Sequence, residues 1–205
     1  MTKKKRVEII IKELKGLFPQ AKIMLNYSSP WELLVAVMLS AQCTDNMVNK
    51  VTEKLFKKYN SLDSYVNAVS HEFKKDIYST GFYRAKTKHI LETAKIINSS
   101  YKGEIPRSMK EMVGLPGVGR KTANVVLGNA FGIVEGIAVD THVRRISRIL
   151  GLTKHIDPEK IEKDLMKIVP REEWLRFTYL LIEYGRKYCP AIKHKHEECP
   201  LTKIS

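Results

Sequence analysis

Cysteine is scarce in this 205-residue chain: three residues, Cys43, Cys189 and Cys199, give no even disulfide framework. Long apolar runs are missing as well. None approaches the roughly 18–20 residues of a membrane span, so no membrane partner is expected. The start, MTKKKRVEII, is basic, but its apolar stretch is too short and too interrupted for a signal peptide, and a cytoplasmic location is expected. Acidic residues are the third shortage. Only 22 Asp and Glu face 36 Lys and Arg, which leaves a net charge of +14 and favours a polyanionic partner, most often nucleic acid. Paired runs with hairpin turns are also lacking, which argues against a sheet, and there are no internal repeats and no disordered linker.

The positive surplus is not evenly spread. Residues 81–130 hold nine Lys and Arg against three Asp and Glu, and residues 1–30 hold seven against two. Between these basic stretches the pattern is helical nearly throughout. Residues 5–18 place Val7, Ile10, Ile11, Leu14 and Leu17 on one face. Ser29-Pro30 opens WELLVAVMLSAQ with a serine cap and a proline at the first position; this helix is apolar on most sides and should be central. Further helices are expected over 46–59, over SLDSYVNAV and SHEFKKDIYS with serine caps, over 83–100, after the serine of IPRSMKEMVGL, and over 119–131. After a looped stretch, Asp140 precedes THVRRISRIL, ended by Gly151, then DPEKIEKDLMKIV follows, and the last helix spans about 172–188. The fold class expected is all-α.

The stretch MVGLPGVGRKTAN at 112–124 carries the chemistry. Gly117 and Gly119 allow positive φ and close backbone approach, and the N–H groups of a turn entering a helix form an anion site. Arg120 and Lys121 sit on the first turn, where the helix dipole disfavours cations. A bound phosphate would offset that. The same field, the neighbouring arginine and partial burial would favour a neutral lysine amine, the form a nucleophile needs. A P-loop fits poorly, because Arg120 pushes the lysine one place too far and no apolar strand precedes the glycines. An ordinary tight turn with solvated cations is the bland alternative.

LPGVGRKTANVVL followed by AVDTHVRR, with SSPWELLVAVMLSAQCTDNMVNKV upstream, resembles the helix-hairpin-helix DNA glycosylases, in particular the endonuclease III family. The resemblance runs from about residue 3 to residue 200. It implies two helical lobes, a six-helix lobe at 27–135 carrying the helix-hairpin-helix and a second lobe built from 1–26 and 136–205, with the active-site cleft between them. It implies a base-excision-repair glycosylase and AP lyase that removes oxidised pyrimidines. Its partner would be double-stranded DNA with a damaged base or abasic site, and the protein a monomer associated with the nucleoid. Lys121 would be the Schiff-base lysine and Asp140 the essential aspartate, although Asp140 also reads as a plain helix cap. Gln42 and Phe82 would fill the gap left by the extruded nucleotide. DNA contacts are further expected from Arg84, Leu115, Gly117, Val118, Gly119, Arg120, Thr122 and His142, and Lys86 is expected on the same phosphate-binding face as Arg84. A non-catalytic DNA-binding module and an AP lyase with little base excision are the alternatives.

The resemblance also implies a cofactor, and here the chain departs from it. The family pattern C-x6-C-x2-C-x5-C supplies four thiolates to a [4Fe–4S] cluster. Here Cys189, His196, Cys199 and Ser205 occupy those positions, so the cluster is expected to be absent and no metal is expected. Zinc at Cys189, His194, His196 and Cys199 is the runner-up, and a Cys189–Cys199 disulfide is disfavoured in a reducing compartment. The leading expectation is a metal-free tail packed through Tyr188, Pro190, Ile192, Pro200 and Leu201.

Overall fold

The structure, a computed structural model, describes residues 2–204. The described residues form helices and loops and contain no strand. The chain divides into two compact units, Met24–Ile133, and Met1–Ile23 together with Val134–Ser205.

The first unit holds α2 (Pro30–Leu39), α3 (Asp45–Lys58), α4 (Leu62–Val66), α5 (Ser70–Asp76), α6 (Tyr83–Ser100), α7 (Met109–Val113) and α8 (Arg120–Phe131), preceded in the chain by α1 (Lys3–Leu17) of the other unit. Ser29 starts α2 as expected: its hydroxyl accepts from the Glu32 N–H at 3.2 Å, and Pro30 takes the first position, where an N–H would be unused. Every residue from Leu33 to Leu39 is buried, and α2 packs against α3, α6 and α8. An all-round apolar helix needs neighbours on every side, which explains its central place. Rings of Trp31, Tyr59, Tyr65 and Phe73 pack edge-on or tilted beside it.

Local details correct two boundaries. The α2 helix stops at Leu39 rather than running on to Gln42, which has φ +52°. Ser70 is the first residue of α5 rather than its cap; Val69 precedes it and supplies no side-chain hydrogen bond.

The second unit packs α1 with α9 (Thr141–Ile149), α10 (Pro158–Ile168) and α11 (Trp174–Lys187). The i, i+3, i+4, i+7 stripe of α1, Val7, Ile10, Ile11 and Leu14, is buried with Val143, Ile146, Phe177 and Leu181. A 3-10 turn at Arg171–Glu173 replaces the first turn of the expected last helix, and two more follow at His196–Glu198 and Pro200–Ile204. In the terminal loop Leu201 is buried and its N–H is accepted by the Tyr184 hydroxyl at 3.2 Å. Ile192, expected among the packing contacts, is 76% exposed; the loop turns it outward.

Candidate nucleic-acid interface and active site

The glycine hairpin joins α7 to α8. Leu115 and Val118 are buried, so their side chains anchor the turn and only their backbone is available to a ligand. Gly117 has φ +73°, and a Cβ built there would stand 2.7 Å from Nδ1 of His89 on α6. Glycine is required on both counts. Thr93, also on α6, donates to the Pro116 carbonyl at 3.0 Å and docks the turn. Gly119 does not use the positive φ that was open to it: φ is −88°, and it caps α8 with no side chain. Nothing lies within 4 Å of where its Cβ would be. The start of α8 is therefore open, with Arg120 and Thr122 half-buried and Lys121 exposed. The partial burial expected for Lys121 is not found: the residue is exposed.

Gln42 and Phe82 share an unusual backbone. They are two of three non-glycine residues with positive φ among the described residues, at +52° and +48°. Such conformations cost about 1–3 kcal/mol and gather at functional sites. Both side chains are exposed, and Phe82 keeps 63% of its surface open, so it is no core residue. Arg84 is exposed beside it, stacked on Tyr83 at 4.8 Å.

Lys86 behaves differently from the phosphate contact expected of it. It is 5% exposed, and its ammonium donates to the carbonyls of Leu39 and Thr80, both at 2.7 Å. These carbonyls end α2 just before Gln42 and close the turn just before Gly81-Phe82. One buried lysine thus ties the two segments that carry the two strained residues, and burial holds its pKa below the ordinary lysine value. Lys86→Met is expected to lower stability by about 2–4 kcal/mol, since two carbonyls lose their donor. It should leave the salt dependence of DNA binding unchanged, whereas Arg84→Ala should reduce the slope of log K against log salt by about 0.9. Denaturant unfolding and salt titrations of both variants check the contrast.

In the other unit Asp140 caps α9. Its Oδ1 accepts from the Val143 N–H at 2.7 Å, and the side chain is half-buried rather than sealed. His142 turns its ring toward α11, where Nδ1 would stand 2.6 Å from a Cβ built on Gly185. The outer face of α9 lines a groove of about 640 Å³ with Arg144, Arg145 and Arg148.

A profile of the HhH-GPD superfamily base excision DNA repair proteins matches residues 35–171. Endonuclease III of Synechocystis is 47% identical over 203 residues, covering 99% of this chain and 93% of that protein. Endonuclease III of Bacillus subtilis is 47% identical over 201 residues, covering 98% and 91%. A solved trapped endonuclease III–DNA covalent intermediate superposes with a TM-score of 0.93 at 44% identity, covering 100% of this chain and 95% of that one. The chain belongs to the endonuclease III family of HhH-GPD base excision DNA repair proteins.

Endonuclease III family membership makes the terminal loop of interest, because its ligand set is not the one the cluster pattern calls for. A [4Fe–4S] cluster takes one thiolate per iron. The described part of this loop has two, Cys189 and Cys199; Ser205 lies outside the described residues. A cubane also holds its irons apart, so its ligand atoms must straddle a whole cluster. Here one ligand atom from each of Cys189, His194, His196 and Cys199 lies within 4.8 Å of all the others. The residues present do not fit the cluster. They form a group that could hold a single metal ion, so the expectation of a tail with no metal is not confirmed.

Two features of this endonuclease III relative were not foreseen. The bridging role of Lys86 has no local signature, since its partners are 47 and 6 residues away. The arginines of α9 were legible in THVRRISR, whose i, i+1 and i+4 spacing puts two on one face.

Proposed function

We propose that this chain excises oxidised pyrimidines from duplex DNA with Lys121 as nucleophile, then nicks the strand by β-elimination. As a member of the endonuclease III family the chain is a base-excision-repair DNA glycosylase with AP lyase activity that acts on damaged bases in DNA. The observation that carries the lysine reading is the exposed Lys121 on an open, uncapped helix start behind a glycine turn. A covalent intermediate with DNA in a relative at 44% identity is consistent with it.

In this reading, phosphates dock on the N–H groups of the hairpin and the start of α8. Gln42 and Phe82, exposed on strained turns, enter the stack as the damaged nucleotide swings out, which costs least where pairing is already weak. The neutral Lys121 amine bonds to the sugar C1′, and the base departs with the bonding electron pair and a proton. The sugar ring opens to an imine. Loss of a C2′ proton then expels the 3′ phosphate. Asp140 keeps a carboxylate oxygen beyond the one used in capping, and would stabilise the positive charge on the sugar and help move protons. The arginines of α9 line a groove of their own unit and offer the backbone further cations.

The test compares borohydride trapping on duplexes carrying an abasic site or an oxidised thymine. Trapping on both is expected. Trapping on the abasic duplex alone would reduce the protein to an AP lyase, and trapping on neither would leave a DNA-binding module.

A further inference from the structure

We propose that Cys189, His194, His196 and Cys199 form a structural zinc site in place of the family's iron–sulfur cluster. Distances carry the inference. A tetrahedral ion bonded to sulfur at about 2.3 Å and to nitrogen at about 2.05 Å sets ligand atoms about 3.6 Å apart for S···N and about 3.4 Å for N···N. His196 Nδ1 stands 3.7 Å from Cys189 Sγ, 3.7 Å from Cys199 Sγ and 3.4 Å from His194 Nε2. Three edges of the required tetrahedron are thus already in place, and every ligand atom lies within 4.8 Å of the others.

Protonation points the same way. His194 Nδ1 lies 2.9 Å from the Ile192 carbonyl, which can only accept, so Nδ1 carries a proton, and Nε2, 3.4 Å from His196 Nδ1, is the nitrogen turned to the ligand group. This is the outer contact that orients a metal-binding imidazole. Arg145 of α9 donates from Nη1 to Cys189 Sγ at 3.3 Å, a contact suited to a thiolate. Two thiolates and two neutral imidazoles around a divalent cation give a site of zero net charge. Its formation releases the two thiol protons, including the one Cys199 shares with the Tyr188 carbonyl at 3.0 Å. Two sulfur and two nitrogen ligands in a tetrahedron select zinc over metals that prefer oxygen or planar surroundings.

The backbone is arranged for it. The Cys189 N–H donates to the Tyr184 carbonyl at the end of α11, and the Cys199 N–H donates to the His196 carbonyl within its 3-10 turn. Both cysteines are buried and both histidines half-buried, so the ion would be shielded on the sulfur side. The site would staple the terminal loop to α11 and, through Arg145, to α9, the helix that Asp140 caps.

The full chain, purified without added metal or chelator, should contain about one zinc per molecule and no iron. Removing the zinc with a chelator should lower the melting temperature by about 10 °C. Cobalt(II) added to the stripped protein should give the intense visible bands of a tetrahedral thiolate site. Cys199→Ser should lose both metal and bands; His194→Ala, a change at a half-buried position, tests the same point if the cysteine variant fails to fold. A brown protein with about four irons and sulfide would overturn the proposal. So would a stripped chain whose melting temperature is unmoved, or zinc content unaffected by His194→Ala.

Discussion

Lys121→Ala is expected to abolish borohydride trapping on abasic DNA and to cut strand nicking by about ten-thousand-fold, the scale seen when a covalent nucleophile is deleted. Stability should barely change. Lys121 is exposed at the second position of α8, where alanine is a good helix former and no packing is lost. Duplex binding should weaken only a few-fold, as one cation of many is removed. Lys121→Arg sharpens the result: it keeps the positive charge and the helix but has no primary amine to form an imine. A trapped complex with either variant would reassign the nucleophile. Because Lys121 lies outside any buried cluster, loss of activity in these variants cannot be put down to a collapsed core.

Asp140→Asn should separate capping from chemistry. Asparagine caps a helix about as well as aspartate, so the Val143 N–H keeps its partner. Only the interaction of a carboxylate with the helix start is lost, less than about 1 kcal/mol. Base excision, in contrast, should fall by about 100-fold to 1,000-fold, the usual effect of removing one group that stabilises charge in a transition state. Thermal melting and single-turnover excision measured on one preparation check both halves. If activity persists while Asp140→Ala loses about 1 kcal/mol of stability, Asp140 is a cap and nothing else.

Much of the fold was legible because helix limits are local events. Ser29, Ser61, Ser108, Asp140 and Asp157 each accept from an N–H three residues on, a contact whose partners lie within one turn of sequence. The apolar stripe of α1 and the solid apolar run of α2 likewise announce one-sided and all-round burial. The hairpin was legible for the same reason: Gly117 must take positive φ in a turn this tight.

What only the tertiary structure decided involves groups distant in sequence, or side chains whose environment is set by neighbouring elements. Lys86 reads as one more surface cation until α2 and the Thr80 turn close over it, and the two carbonyls they leave unpaired claim its ammonium. Lys121 reads as half-buried, yet it stands exposed at the second position of α8. Ser70 reads as a cap, but the chain enters α5 one residue earlier. The terminal loop was ambiguous for a further reason. Spacing alone does not tell whether Cys189, His194, His196 and Cys199 converge, since one turn more or less would scatter them. The 3-10 turn at His196–Glu198, with the loop anchored by Tyr184 to Cys189 and Leu201, brings all four to one point.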